Sequence, residues 1–256
     1  TPEMLEAQRA RGELLERLLR ADDEQARQAI AQANDAQIDY EFLDLLSINI
    51  ELAQRSQRPE IVSDLLALRE QVLEWTTLGQ ELAAREEAMV SLGLSPEGEH
   101  REITREELLD KLIEAAVQRG AAQSVKVETM IALGRPAIDY VFYQQLTDRI
   151  GAAEQAGDRE RAATLIALRE TILGETARLD EEARQATQET VEFLSQAMNS
   201  DDPHAFIRSH IQQVDSLFMS ILSANLQAAE QAGQTEVVER LEMISDAVAA
   251  LVLESQ

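Results

Sequence analysis

An all-α fold built from three tandem long helical hairpins, packed as a bundle or solenoid, is what this chain predicts, on three observations. Ala, Leu, Glu, Gln and Arg dominate a sequence of 256 residues that holds only 5 prolines, 10 glycines and 4% aromatics. The stretch from Ile38, IDYEFLDLLSINIELAQRSQRPEIVSDLLALREQVLEWT, returns without a gap from Ile138 as IDYVFYQQLTDRIGAAEQAGDRERAATLIALRETILGET. A weaker third copy starts at Val214, VDSLFMSILSANLQAAEQAGQTEVVERLEMISDAVAALV. Because the starts at 38, 138 and 214 are unequally spaced, the hairpin is the unit and the connectors vary.

Each first helix carries one apolar stripe with members four apart: Ile38, Phe42, Leu46 and Ile50, then Ile138, Phe142, Leu146 and Ile150, then Val214, Phe218, Leu222 and Leu226. After the turn the stripe resumes at Leu65, Leu68 and Val72, at Leu165, Leu168 and Ile172, and at Leu241, Ile244 and Val248. Steps of three and four suit near-antiparallel helix packing. At the turns, Gly157 and Gly233 suit the left-handed conformation that ends a helix, with Asp158 and Thr235 read as caps of the next one. In the first copy Pro59 takes the first helical position instead.

A shorter apolar helix precedes each hairpin, around Leu14, Leu15, Leu18 and Leu19, around Leu108, Leu109, Leu112 and Ile113, and around Val191 and Leu194, which makes a three-helix unit. The expected division is unit 1 at 1–92, a linker at 93–104, unit 2 at 105–186 and unit 3 at 187–256. Thr104 and Glu107 spell a capping box at the start of the second unit. From Arg159 to Asn199 no breaker appears except Gly174, so the spacing predicts one helix of about 40 residues. Asp202 and Pro203 then cap and start the last unit.

The 48 acidic against 23 basic residues give a formal charge of −25, which repels phosphate backbones and anionic headgroups. Nucleic-acid and membrane binding are therefore not expected, and no apolar run approaches a membrane span. The absence of cysteine removes disulfides, thiolate nucleophiles and cysteine zinc sites, and fits a cytoplasmic protein. The chain opens at Thr1 without an initiator Met, which reads as a portion of a longer protein.

No catalytic, cofactor-binding or metal-binding set is expected. The histidines are His100, His204 and His210. Glu97-Gly98-Glu99-His100 spells Glu-x-x-His in a Gly/Pro-bearing linker rather than on a helix face, and His204 and His210 are six apart rather than three or four, so capping or surface roles are expected of them. Asp39, Asp139 and Asp215 recur after the first stripe position, and Arg69 and Arg169 recur in two copies. A helical rise of about 1.5 Å per residue offsets Asp39 and Arg69 by roughly 10 Å along the axis, which speaks against direct pairing; helix ends and interhelical contacts are the expected use of these positions, with a binding role as the alternative. Tyr40, Trp75 and Tyr140 are the candidate partner contacts, since exposed aromatics anchor interfaces.

The segments TPEMLEAQRARGELLERLL, IDYEFLDLL and LLALREQVL resemble the helical C-terminal region of bacterial proteins that carry the CpXC domain. That resemblance implies a preceding domain with two Cys-Pro-x-Cys motifs, taken to bind zinc, in a family of uncharacterised function. No ligand of that kind carries over to a chain without cysteine. The expectation is a non-enzymatic scaffold, a protein-interaction or oligomerisation region, serving a protein partner, its own N-terminal domain or a second copy. The alternatives are a metal-dependent bundle enzyme with buried carboxylates and an acidic mimic of nucleic acid.

Overall fold

Residues 2–94, 103–118, 120 and 122–254 are described in the computed structural model. Helix accounts for 86% of it, and among the described residues there is no strand, so the chain is all-α. The chain divides into two compact units, Thr1–Thr176 and Ala177–Gln256.

In the first unit α1 (Pro2–Leu19) and α2 (Glu24–Ala33) lead into a 3₁₀ turn, Asp35–Gln37, and then into α3 (Tyr40–Arg55), α4 (Pro59–Trp75) and α5 (Thr77–Ser91). It continues with α6 (Arg105–Val117), α7 (Gln123–Gly134), a second 3₁₀ turn at Arg135–Ala137, and α8 (Tyr140–Gln155). The 41-residue α9 (Arg159–Asn199) belongs to the first unit up to Thr176 and to the second from Ala177. The second unit adds α10 (Pro203–Ser209), a 3₁₀ turn at Ile211–Gln213, α11 (Ser216–Gln231) and α12 (Thr235–Glu254).

Two helices, not one, precede each expected hairpin, so the three-helix unit needs correction. Asp23 accepts from the Ala26 amide at 2.7 Å and so starts α2 separately from α1. Asp202 does the same for α10 at Ala205, 3.0 Å, with Pro203 first in the helix. The capping box of α6 forms as its sequence predicts. Of the expected linker at 93–104, residues 95–102 lie outside the described residues, and so does His100 of the Glu-x-x-His segment.

The stripes find their places. Phe42, Leu46, Leu68 and Val72 are fully buried beside Leu14 and Leu18 in the first core. Phe218, Leu222 and Ile244 are buried with Phe193 and Ile207 in the second unit. Each such side chain contributes about 1.5–3 kcal/mol by leaving water. The ends of the leading helices are closed by long polar side chains drawn from different elements. Arg27 donates to the Leu18 carbonyl (3.1 Å), Gln123 to that of Ala116 (2.8 Å) and Arg240 to that of Met198 (2.8 Å).

Three turns join the hairpin helices by the same closure. The amides of Arg58, Asp158 and Gln234 donate to the carbonyls of Ala53, Ala153 and Ala229, each at 3.0 Å. Gly157 (φ +72°) and Gly233 (φ +66°) hold the left-handed position, and in the first turn Gln57 holds it at φ +52°. Asp158 caps α9 through the Arg161 amide, but Thr235 is the first residue of α12 rather than its cap: the Val238 amide bonds the Gln234 carbonyl. The left-handed backbone costs a side-chain-bearing residue about 1–2 kcal/mol. Gln57→Gly is therefore expected to raise unfolding free energy by about 1 kcal/mol, and Gly157→Ala to lower it by at least about 1 kcal/mol, measured by denaturant titration.

The clearest divergence lies after the hairpins. The second helix of the first hairpin ends at Thr76, whose extended backbone (φ −112°, ψ 158°) separates α4 from α5, whereas α9 runs through Thr176 unbroken, as its spacing predicts. Both threonine hydroxyls bond the carbonyl four residues back, at 2.7 Å, so they do not make the difference. Asp35 does, by accepting from the Thr77 amide at 2.9 Å, where the residue 100 places on is Arg135, a group that only donates. Gly79 does as well: a Cβ there would sit 1.7 Å from the Leu73 carbonyl oxygen, while α9 carries Leu179 at the same register. Gly79→Leu is expected to cost on the order of 3 kcal/mol and to shift the emission of Trp75, the sole tryptophan, which packs on the core at the end of α4.

Candidate functional site

Asp39, Asp139 and Asp215 are the N-caps of α3, α8 and α11, three helices of 16 residues each. Their carboxylates accept from the amides of Phe42 (2.9 Å), Phe142 (3.1 Å) and Phe218 (2.8 Å), whose own rings are fully buried. Arg69 is not the partner. Arg11 of α1 donates through Nε to both Asp39 oxygens (2.9 and 3.1 Å) and through Nη2 also reaches Glu41. Arg105 of α6 grips Asp139 in the same forked way, Nε at 2.9 Å from each oxygen. In the register set by Leu14, Leu108 and Phe193, the position of these arginines in α9 is Thr190.

The guanidinium of Arg11 holds Asp39 below its ordinary range, against a smaller opposing effect of burial. Asp139 is brought down to about 2, first by the Arg105 hydrogen bond and second by the Phe142 amide. A carboxylate depressed in the folded state contributes its stability fully above the unfolded value near 3.8 and loses it as pH falls towards 2. In Arg105→Gln the Asp139 carboxyl midpoint, followed by NMR, is expected to climb back towards 3.8, and the stability lost across that acid window to shrink.

Beside the first of these clamps lies an open groove of about 650 Å³ between α1 and α3. Residues 4, 7, 8 and 11 form one wall and 41, 44, 45 and 48 the other, with identical spacing, as expected of two helix faces turned to one another. Met4, Ala7, Leu45 and Ile48 make it apolar, and Glu3, Glu41 and Asp44 line it with acid. Met4 is 63% exposed, Ile48 55%, and Leu52, one turn further along α3, 53%. The corresponding positions of the other two 16-residue helices do not repeat this surface: Ile48 matches Asp148 and Ala224, and Leu52 matches Ala152 and Ala228. In α8 the residue in place of Leu45 is Gln145, whose Oε1 is buried without a hydrogen-bond partner.

The candidate contact residues separate. Trp75 is half-buried and packed on the core. Tyr40 is exposed, its hydroxyl accepting from Arg85 of α5, and Tyr140 is 77% exposed at the start of α8. None of the three lines the groove. His204 is exposed on α10, and His210 closes that helix, Nδ1 lying 2.8 Å from the Phe206 carbonyl oxygen with the ring stacked on Phe206 at 4.5 Å.

Among the described residues no three His, Asp or Glu side chains are grouped to hold a metal ion. Thr76 and Thr176 are the polar residues among them that are buried as a whole, and their hydroxyls bond carbonyls of their own helices. No helix of the described chain is long and apolar enough to cross a membrane. No family model matches the chain, and neither a curated protein nor a solved structure does.

Proposed function

We propose that this chain is a non-enzymatic helical scaffold, a protein-interaction region that offers a surface groove to a protein partner. The observation that carries the reading is the α1–α3 groove, where Met4 and Ile48 keep more than half of their surface in water, although α8 and α11 place aspartate and alanine where α3 has Ile48. The charged groups that stand close together support it too. Arg11, Asp39, Arg105 and Asp139 are engaged in fixing helix starts to neighbouring helices, a structural occupation.

Affinity capture from lysate with the full chain as bait, at low and moderate salt and read by mass spectrometry, tests this. A stoichiometric partner that survives moderate salt is the expected result. Recovery of the bait alone would overturn it, and stoichiometric metal in the purified folded chain would favour a bundle enzyme instead.

A further inference from the structure

We infer that the α1–α3 groove docks an amphipathic helix whose apolar ridge is flanked by lysine or arginine. The inference rests on the scaffold reading and names the class of partner. Two facing rows of side chains with helical spacing leave a trough of the kind that accepts the ridge of a third helix, and the trough is apolar along Met4, Leu45 and Ile48, with exposed Leu52 one turn beyond its lining on α3.

Charge decides between occupants. The groove's lining holds three acids, Glu3, Glu41 and Asp44, and one cation, Arg11. That cation is only 16% exposed and already engaged by Asp39 and Glu41. The rim therefore presents negative charge, on a chain of net charge −25. A second copy would bring the same acids against themselves, which like-charge repulsion disfavours; a basic helix meets complementary charge on both sides of its apolar ridge. The internal comparison separates this surface from ordinary solvated helix: an α3 serving structure alone has no use for Ile48 and Leu52 where α8 carries Asp148 and Ala152.

The test uses the full chain and a fluorescent synthetic Leu/Lys peptide of about 18 residues with leucines at i, i+3, i+4 and i+7. The controls are its Leu/Glu counterpart and a Leu/Lys peptide of equal composition with leucines scattered around the helix. Anisotropy is expected to show saturable one-to-one binding of the first peptide only, weakened at least about tenfold by Ile48→Asp. That substitution puts on α3 the residue α8 already carries, at an exposed position, so the fold tolerates it. It also adds negative charge, so attraction to lysine without groove docking would persist or grow. Equal binding by Ile48→Asp, or by the scattered peptide, overturns the inference. So does a dimer in sedimentation equilibrium that Ile48→Asp disperses, which assigns the face to a second copy. A lysate partner captured equally by wild type and Ile48→Asp would overturn the docking inference while leaving the scaffold reading intact; absence of any partner would overturn that reading.

Discussion

The aspartate that opens each 16-residue helix is the constraint on which the rest depends. Asp39, Asp139 and Asp215 each take the amide of a phenylalanine three residues on, and so fix where the helix starts relative to the ring that must be buried. Moving that start by one residue would rotate the apolar stripe by about 100° away from the core. In the first unit the cap does a second job. Arg11 and Arg105 tie α1 and α6 to the starts of α3 and α8, so the angle between these helices is held by a forked ion pair at one end as well as by packing along their length. In the second unit Thr190 stands where an arginine would be, and the aromatic cluster of Phe193, Phe206, Phe218 and His210 supplies packing there instead.

Segments that match in pattern reach different ends because local backbone chemistry decides where a helix stops. The stretches up to Thr76 and Thr176 match without a gap, yet α4 ends and α9 continues. The decision lies outside the matched segment, in an acceptor at Asp35 against a donor at Arg135, and in the missing Cβ of Gly79 against Leu179. Beyond Ala177 nearly every side chain of α9 faces solvent until Phe193. There the helix is supported by its own one-turn pairs, among them Gln185 with Glu181 and Gln188 with Glu192.

The hairpins were legible because periodic apolar residues, a glycine turn and a capping proline all pointed the same way over nearly 40 residues. The helices α2 and α7 were not: they are only 10 and 12 residues long, and α2 buries just Ala31 outright, too little to stand out as a stripe. The Asp39 clamp was half legible. The axial offset speaks against Arg69 across the hairpin, and the partner is Arg11, upstream of it. Arg11-Gly12-Glu13-Leu14-Leu15-Glu16-Arg17-Leu18-Leu19 and Arg105-Glu106-Glu107-Leu108-Leu109-Asp110-Lys111-Leu112-Ile113 carry an arginine three residues before the same buried leucine pair. That recurrence was the available signal. The groove was illegible for another reason: Ile48 and Leu52 read as part of an apolar helix until neighbouring helices show which face is already covered.

The acidic balance acquires a more specific meaning once its distribution is considered. A net charge of −25 by itself describes solvation, and most of the ion pairs are one-turn contacts such as Arg9 with Glu13 and Arg55 with Glu51, whose exposed partners contribute little. The cations that do structural work sit inside the array: Arg11 under the groove, Arg27 and Arg240 at helix ends. At the groove the one lining cation is drawn inward to the start of α3 while Glu3, Glu41 and Asp44 stay along the lining, so the apolar opening acquires an acidic rim through the way α3 is capped. Selection of a positively charged partner then needs no dedicated recognition residue. It follows from placing Ile48 and Leu52 where the other helices keep aspartate and alanine, which makes the apolar opening, rather than the charge, the feature that distinguishes this face.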